Sequence, residues 1–271
     1  VKIPLFLGVD EEGGRVARVS SNEDMGVDPI DAMGTFGESG DIASLYNAVS
    51  GLAAGIHALG FNFDFAPVAD VSSGKNSVIG DRSFGTDASL CASMVSVAAS
   101  ALTDSGVVPC LKHFPGYGSA SADDHNGPAE VTKTLEELEQ CDLVPFVSGI
   151  EKGAPFIMVS HLSVPALTGG DMPCDLSYEA VTETLRNKMG FAGVIITDAQ
   201  NMASITSRYD AGEAAVQALK AGVDMILMPD DLQAAYDAVS SAVESGSLSA
   251  QRIDESVLRI LQVKAKYGLL P

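Results

Sequence analysis

The chain has 271 residues, 46% of them apolar, which is enough for a sizeable core and a normal length for one α/β barrel. Its 16 basic and 36 acidic residues give a net charge of −20, which argues against nucleic acid and anionic membrane surfaces as partners. No apolar run approaches the ~20 residues of a membrane-spanning helix, so no membrane span is expected.

The chain opens at Val1, directly in a strand-like run and without a methionine. We read this as the trace of a removed N-terminal piece, an export signal or a lipoprotein anchor included. That leaves the compartment open between the cytoplasm and, after processing, the cell surface or the medium. A first buried strand is expected over 4–9, ending in Asp10-Glu11-Glu12-Gly13-Gly14-Arg15-Val16, where acids and glycines follow an apolar run. Residues 41–59 carry Ile42, Leu45, Val49, Leu52 and Ile56 at helical spacing. A second strand is expected over 61–71, then the loop Gly80-Asp81-Arg82-Ser83-Phe84-Gly85 and an Ala-rich helix over 89–105.

Val107 to Leu111 is a short apolar strand that delivers the basic pair Lys112-His113 into a loop broken by Pro115, Gly116 and Gly118. That loop carries Asp123 and His125, two residues apart, so both can face one site. A carboxylate beside an imidazole fixes its tautomer and raises its pKa, which suits a proton shuttle. A loop histidine is more often only solvated, and the Gly116-x-Gly118 pair lacks the Lys-Ser/Thr of a phosphate-binding loop. A helix over 134–150 follows, with an acidic first turn. Then come a strand over 155–159 ending at Ser160-His161, and a helix over 177–189 with Ser177 as cap and Gly190 past its end. An apolar strand at 194–197 ends at Asp198, a helix covers 211–221, and a last strand lies at 224–228. Helices over 232–244 and 250–267 close the chain.

Strands that are continuous apolar runs, alternating with helices, indicate a parallel sheet buried on both faces. Polar residues stand just after strands at Asp10, Asp70, Lys112-His113, His161 and Asp198, which in a (β/α)8 barrel is the catalytic rim. Residues 1–271 are expected to form one domain, a TIM-type barrel. Six strands are evident, near residues 5, 63, 109, 157, 195 and 226. A closed barrel needs eight, so either the first one or two β/α units precede Val1 or the barrel is open. An open sheet exposes edges, which would favour a homo-oligomer. The cysteines, Cys91, Cys110, Cys141 and Cys174, are far apart without zinc-site spacing and are expected as core or near-core thiols.

Six stretches stand in order: Asp10-Glu11-Glu12-Gly13-Gly14-Arg15-Val16, Phe65-Ala66-Pro67-Val68-Ala69-Asp70, Ile79-Gly80-Asp81-Arg82-Ser83-Phe84-Gly85, Lys112-His113-Phe114-Pro115-Gly116, Asp123-x-His125 and Ile196-Thr197-Asp198. Together they resemble the β-N-acetylglucosaminidases of glycoside hydrolase family 3, in the single-domain branch with an Asp-x-His dyad. The resemblance implies retaining hydrolysis of terminal β-linked GlcNAc, in peptidoglycan-derived or chitin-like saccharides, through a covalent glycosyl-enzyme. It implies Asp198 as nucleophile, His125 as general acid/base and Asp123 as its orienting partner. Asp10, Arg82, Lys112 and His113 would bind sugar hydroxyls, a role compatible with an ion pair between the charged groups of the rim. The reaction needs neither cofactor nor metal. His113, Asp123 and His125 are neighbours in sequence, but no helix carries a ligand pair.

Three features depart from the family. Tyr117 stands where a second histidine is frequent, Gln200 replaces a common apolar residue, and the first strands are absent. The alternatives are another family 3 activity such as β-glucosidase, or an inactive truncated barrel that binds sugar.

Overall fold

The computed structural model describes residues 3–74, 77–120, 122–123 and 127–270. Two compact units emerge. The first comprises residues 1–119, 138–156 and 266–271, and the second comprises 120–137 and 157–265.

In the first unit, β1 (Gly8–Val9) is an edge strand whose neighbour is β4 (Phe63–Asp64), and β4 pairs with β5 (Val108–Phe114). Both pairings are parallel, with Gly8 opposite Phe63 and Phe63 opposite Val108. All seven residues of β5 are buried, as a strand covered on both faces requires. Phe6, Phe63, Phe65 and Phe156 form an aromatic cluster with centroids 4.7–5.6 Å apart, mostly edge to face.

Between β1 and β4, β2 (Glu11–Gly13) and β3 (Val16–Ala17) form an antiparallel hairpin. Gly13 and Gly14 both have positive φ, and a Cβ on Gly14 would stand 2.7 Å from Cβ of Ala32. The tight turn therefore demands glycine.

Helix α1 (Met33–Ser39) leads into α2 (Ile42–Ala58). Asp41 caps α2 by accepting from the amides of Ala43 and Ser44 at 3.0 Å each. Leu45, Val49, Leu52 and Ile56 form its buried face, each contributing about 1.5–3 kcal/mol by leaving water. Helix α3 (Ala88–Asp104), capped by Asp87, packs its small residues Ala98 and Ala101 inward beside α2.

The helix expected over 134–150 is two helices, α4 (Leu135–Gln140) and α5 (Val144–Glu151). Pro145 sits in the first turn of α5 and cannot continue a helix from upstream, so the chain turns at 141–143. The strand expected over 61–71 is hydrogen-bonded as a strand only at β4, and beyond it a single bridge joins Val68 to Lys112.

In the second unit, β6 (Phe156–Val159) lies beside β7 (Val194–Ala199), and β7 pairs in parallel with β8 (Met225–Leu227). A register shift falls between Ile196 and Ala199, at Thr197-Asp198. Helix α6 (Pro165–Thr168) follows β6. Residues Glu179–Lys188 form a π-helix ending in Gly190 with φ +72°. Ser177 Oγ accepts from the Ala180 amide at 3.3 Å, in the capping role its sequence position suggests.

After β7 come α7 (Ala203–Thr206) and α8 (Ala211–Ala221), the latter capped by Asp210. Gly222 ends α8 at φ +117°, and a Cβ there would meet Thr182 Oγ1 at 2.2 Å. Asp231 caps α9 (Leu232–Glu244), and α10 (Ala250–Lys266) closes the unit. Asp224, buried at the start of β8, is bound by Arg186, Arg252 and Arg259 at 2.8, 3.5 and 3.0 Å.

All six expected strands are present, with boundaries shifted by a few residues. Cys91, Cys110 and Cys174 are buried, Cys141 is half-buried, and all four are thiols. Among the described residues, no helix is long and apolar enough to cross a membrane.

Candidate active site

In the first unit, the end of β1, β2, β5 and the 3-10 turn Gly80–Arg82 bring four charged side chains together. Lys112, fully buried near the end of β5, places Nζ 2.6 Å from Asp10 Oδ1 and 2.6 Å from Glu12 Oε1. Arg82 reaches the same Glu12 bidentately, Nε to Oε2 and Nη2 to Oε1, both at 2.8 Å. Glu12 is thus the shared anion of two cations. Burial alone would push its carboxyl up, but Lys112 and Arg82 outweigh burial and hold it at about 2. Burial likewise disfavours the charged forms of Lys112 and Arg82, and the facing carboxylates outweigh it and push both above their ordinary values. All three are therefore ionised throughout the neutral range.

The turn bearing Arg82 is held from outside. Arg15 Nη2 donates to the Ile79 carbonyl at 2.9 Å, and Arg15 Nε lies 3.3 Å from Asp81. Glu11 has a separate role. It accepts from the amides of Val19 and Ser20 and from the Ser20 hydroxyl, closing the hairpin loop. Beneath it, Asp64 accepts from the Glu11 amide at 3.0 Å, and burial pushes its carboxyl well up.

His113 is organised by Asp70. The Asp70 carboxylate lies 2.8 Å from His113 Nδ1 and accepts from the backbone amides of His113 at 3.1 Å and Tyr117 at 2.6 Å. An ionised carboxylate can only accept, so Nδ1 carries the proton, and Nε2 faces Arg82 Nη2 at 3.5 Å. The Tyr117 ring lies 5.6 Å from the imidazole, centroid to centroid. The tyrosine that departs from the family pattern is therefore a buried packing partner of His113. Gly118 must be glycine, because a Cβ would stand 1.7 Å from the Val71 carbonyl oxygen.

In the second unit, Asp198 sits at the register shift of β7, where a bulge re-aims a side chain. Its Oδ1 accepts from the Ala199 amide at 2.8 Å. The shift is braced by Thr197 Oγ1, which accepts from the Leu227 amide at 2.9 Å. Ala199 O accepts from His161 Nε2 at 2.9 Å, and His161 Nδ1 lies 3.1 Å from Asp175 Oδ1. Gln200 is buried, and its amide makes no hydrogen bond among the described residues. Asp123 is exposed in the loop before α4, and His125 lies outside the described residues. Among the described residues, no group of three or more His, Cys, Asp or Glu side chains is arranged to hold a metal ion.

The structure therefore brings Asp10, Arg82, Lys112 and His113 together within the first unit and sets Asp198 on β7 of the second. Sequence reasoning passed over Glu12, Asp70 and Asp175 as partners. One signal for Glu12 was present: two rim cations near Asp10 alone leave one positive charge uncompensated, and a buried charge needs a partner.

Parallel strands with charged groups at their ends fit a (β/α) barrel enzyme, and the comparisons give the family. Residues 1–263 match the glycosyl hydrolase family 3 N terminal domain, so the chain belongs to that family. Beta-hexosaminidase A of Pseudoalteromonas piscicida is 32% identical across 98% of this chain and 48% of its own length. Beta-hexosaminidase LpqI of Mycobacterium tuberculosis is 36% identical across 97% of this chain and 68% of its own. A solved family 3 beta-N-acetylglucosaminidase from Paenibacillus sp. str. FPU-7 superposes with a TM-score of 0.94 at 37% identity, covering 99% of this chain and 51% of that one. The fold class is thus that of the family barrel, with six strands in its main sheet among the described residues. The chain spans about half the length of the Pseudoalteromonas relative and of the Paenibacillus structure.

Proposed function

We propose that residues 1–271 serve as one catalytic barrel domain of a retaining exo-β-N-acetylglucosaminidase. It acts on terminal β-linked GlcNAc of peptidoglycan-derived or chitin-like saccharides. The Asp198 carboxylate attacks the anomeric carbon while the leaving oxygen takes a proton from the His125 imidazolium. The glycosyl-Asp198 ester is then opened by a water whose proton goes to His125, and Asp198 is regenerated with retention. Asp123 orients His125. Asp10, Arg82, Lys112 and His113 bind sugar hydroxyls.

The observation that carries this reading is the placement of Asp198. It stands at the end of a buried strand, at a register shift, with one oxygen held by the Ala199 amide. A nucleophile needs such a rigid mount. The ion network of the first unit supports the binding role, because its buried charges are already fixed by one another and need little reorganisation when a hydroxyl arrives.

The reading is tested with aryl β-N-acetylglucosaminide and aryl β-glucoside side by side. Preferred turnover of the first, abolished in Asp198→Asn, is expected; preference for the glucoside would reassign the activity. In His125→Ala, activity on an unactivated substrate should fall far more than on one whose leaving group needs no proton. Equal losses on both would remove the acid role. Edge strand β1, preceded by the exposed Leu5 and Leu7, is available for pairing with a second copy, and light scattering decides whether a homo-oligomer forms.

A further inference from the structure

His161 and Asp175 are assigned no role by the proposed chemistry, yet both are buried: His161 contacts the backbone of the residue that follows Asp198, and Asp175 contacts His161. His161 follows β6, and Asp175 lies in the 3-10 turn Cys174–Leu176. The backbone of residue Ala199 connects them to Asp198. Its N–H donates to Asp198 Oδ1 at 2.8 Å, and its carbonyl accepts from His161 Nε2 at 2.9 Å and from the Met202 amide at 3.1 Å. A carbonyl can only accept, so Nε2 carries a proton. Among the described residues, no other side chain is bonded to the backbone of Ala199. The neighbouring Gln200 side-chain amide and Ser204 hydroxyl, both buried, make no hydrogen bond among the described residues.

The other ring nitrogen faces Asp175 Oδ1 at 3.1 Å, and neither atom of that pair has a well-aligned hydrogen bond. The distance is that of an ion pair, and its angle falls short of a hydrogen bond; we take the pair as an ionic contact because both side chains are fully buried. A buried carboxylate without hydrogen bonds is costly unless an opposite charge faces it. The charged groups acting on His161 are Asp175 from the 3-10 turn and Asp198 from β7, both carboxylates. Burial pulls the imidazolium down, but these two carboxylates outweigh it, Asp175 first, and hold it at about 9.

We propose that His161 is a positioning residue for Asp198: protonated on both nitrogens and held by Asp175, it fixes the backbone of Ala199, the residue whose N–H orients the Asp198 carboxylate. The proposal rests on the assignment of Asp198 as nucleophile. What it adds is a chain of contacts, Asp175 to His161 to Ala199 to Asp198, in which a buried cation also sets positive charge beside the ionised nucleophile.

Two measurements decide it without activity. In the [15N]histidine-labelled chain, with His161 signals identified by their loss in His161→Gln, both ring nitrogens should show protonated shifts at pH 7.5. A single neutral tautomer at that pH overturns the proposal. In Asp175→Asn, which keeps the size of the side chain, amide hydrogen exchange at Ala199 and Gln200 should quicken while β8 amides keep their protection; unchanged exchange at Ala199 overturns it.

Kinetics then tests the consequence. In Asp175→Asn, kcat on an aryl β-N-acetylglucosaminide should fall by about 10²-fold, as slight misplacement of a reacting group does, with KM nearly unchanged. A folded variant with wild-type kcat overturns the positioning role. If the wild-type chain turns over no glycoside, the activity reading fails, while the nitrogen shifts and the exchange rates still decide the contact chain.

Discussion

The two charged regions are built on opposite plans. In the first unit, every member of the Asp10, Glu12, Arg82 and Lys112 group has at least one partner within 2.8 Å, and Glu12 and Lys112 have two each. In the second, β7, which carries Asp198, is accompanied by the buried side chains of Asp175, Gln200 and Ser204, which make no side-chain hydrogen bonds among the described residues. In the proposed reading, the first plan offers a charge-balanced surface to hydroxyl groups, and the second presents Asp198, with Oδ1 held by the Ala199 amide, as the reacting carboxylate. Loss of a group should therefore read out mainly as stability in the first region and as rate in the second.

The sharpest break is at Asp198, the proposed nucleophile. Asp198→Asn should lower kcat on an aryl β-N-acetylglucosaminide by ~10⁴-fold or more and leave the denaturation midpoint near wild type. A fall in stability without loss of rate would reverse the comparison.

The counterpart is Glu12→Gln, which leaves Lys112 and Arg82 sharing buried space with one fewer anion. It should cost about 3–5 kcal/mol in urea denaturation, as removal of one partner of a buried pair does. A variant as stable as wild type would show that the network is not tightly coupled.

Glu12 also predicts a pH dependence. Its folded pKa of about 2 lies below the ordinary 4.5, so between these values the unfolded chain binds more protons than the folded one. The stabilisation is fully present above pH 4.5 and is lost as pH falls toward 2, a swing of ~3 kcal/mol. In Glu12→Gln the slope of the urea midpoint against pH should flatten over that interval. An unchanged slope would place the acid-sensitive group elsewhere.

A smaller effect is expected at Gly37, in α1, far in sequence from either charged group. A Cβ there would meet the Phe84 carbonyl oxygen at 1.6 Å. Gly37→Ala should therefore destabilise by about 1–3 kcal/mol, as overpacking does, measurable as a lower thermal midpoint. The smallest effect is at Gln200. Replacing a buried amide that has no hydrogen bonds by leucine should raise stability by ~1 kcal/mol with little change in rate. A large loss of kcat would mean that the amide contacts substrate, and would move Gln200 into the site.

Much of this architecture was legible because its signals are local. The run Val107 to Leu111 marks β5, and the spacing of Leu45, Val49, Leu52 and Ile56 marks α2. Gly190 marks a helix end through positive φ. Boundaries were lost where the backbone is irregular. The expected strand beyond Asp64 departs from regular pairing after a few residues, and Pro145 splits one expected helix into two.

The site was legible as residues but not as pairs. Lys112, Arg82 and Asp10 stood out as charges beside apolar runs, yet Glu12 and Arg82 are 70 residues apart, and Asp70 and His113 are 43 apart. No periodicity encodes such contacts; they follow from the register that sets β1, β4 and β5 side by side. Asp175 was invisible for the same reason, since only the turn after Pro173 brings it to His161.

The central claim is that Asp198 is the covalent nucleophile, and one measurement tests it most directly. The chain is incubated with an activated 5-fluoro GlcNAc donor, whose glycosyl-enzyme hydrolyses slowly, and its peptides are weighed by mass spectrometry. The account predicts one added fluoro-GlcNAc on the peptide containing Asp198, and none in Asp198→Asn. A label on another carboxylate, or turnover of the aryl glycoside with no label at all, would contradict it.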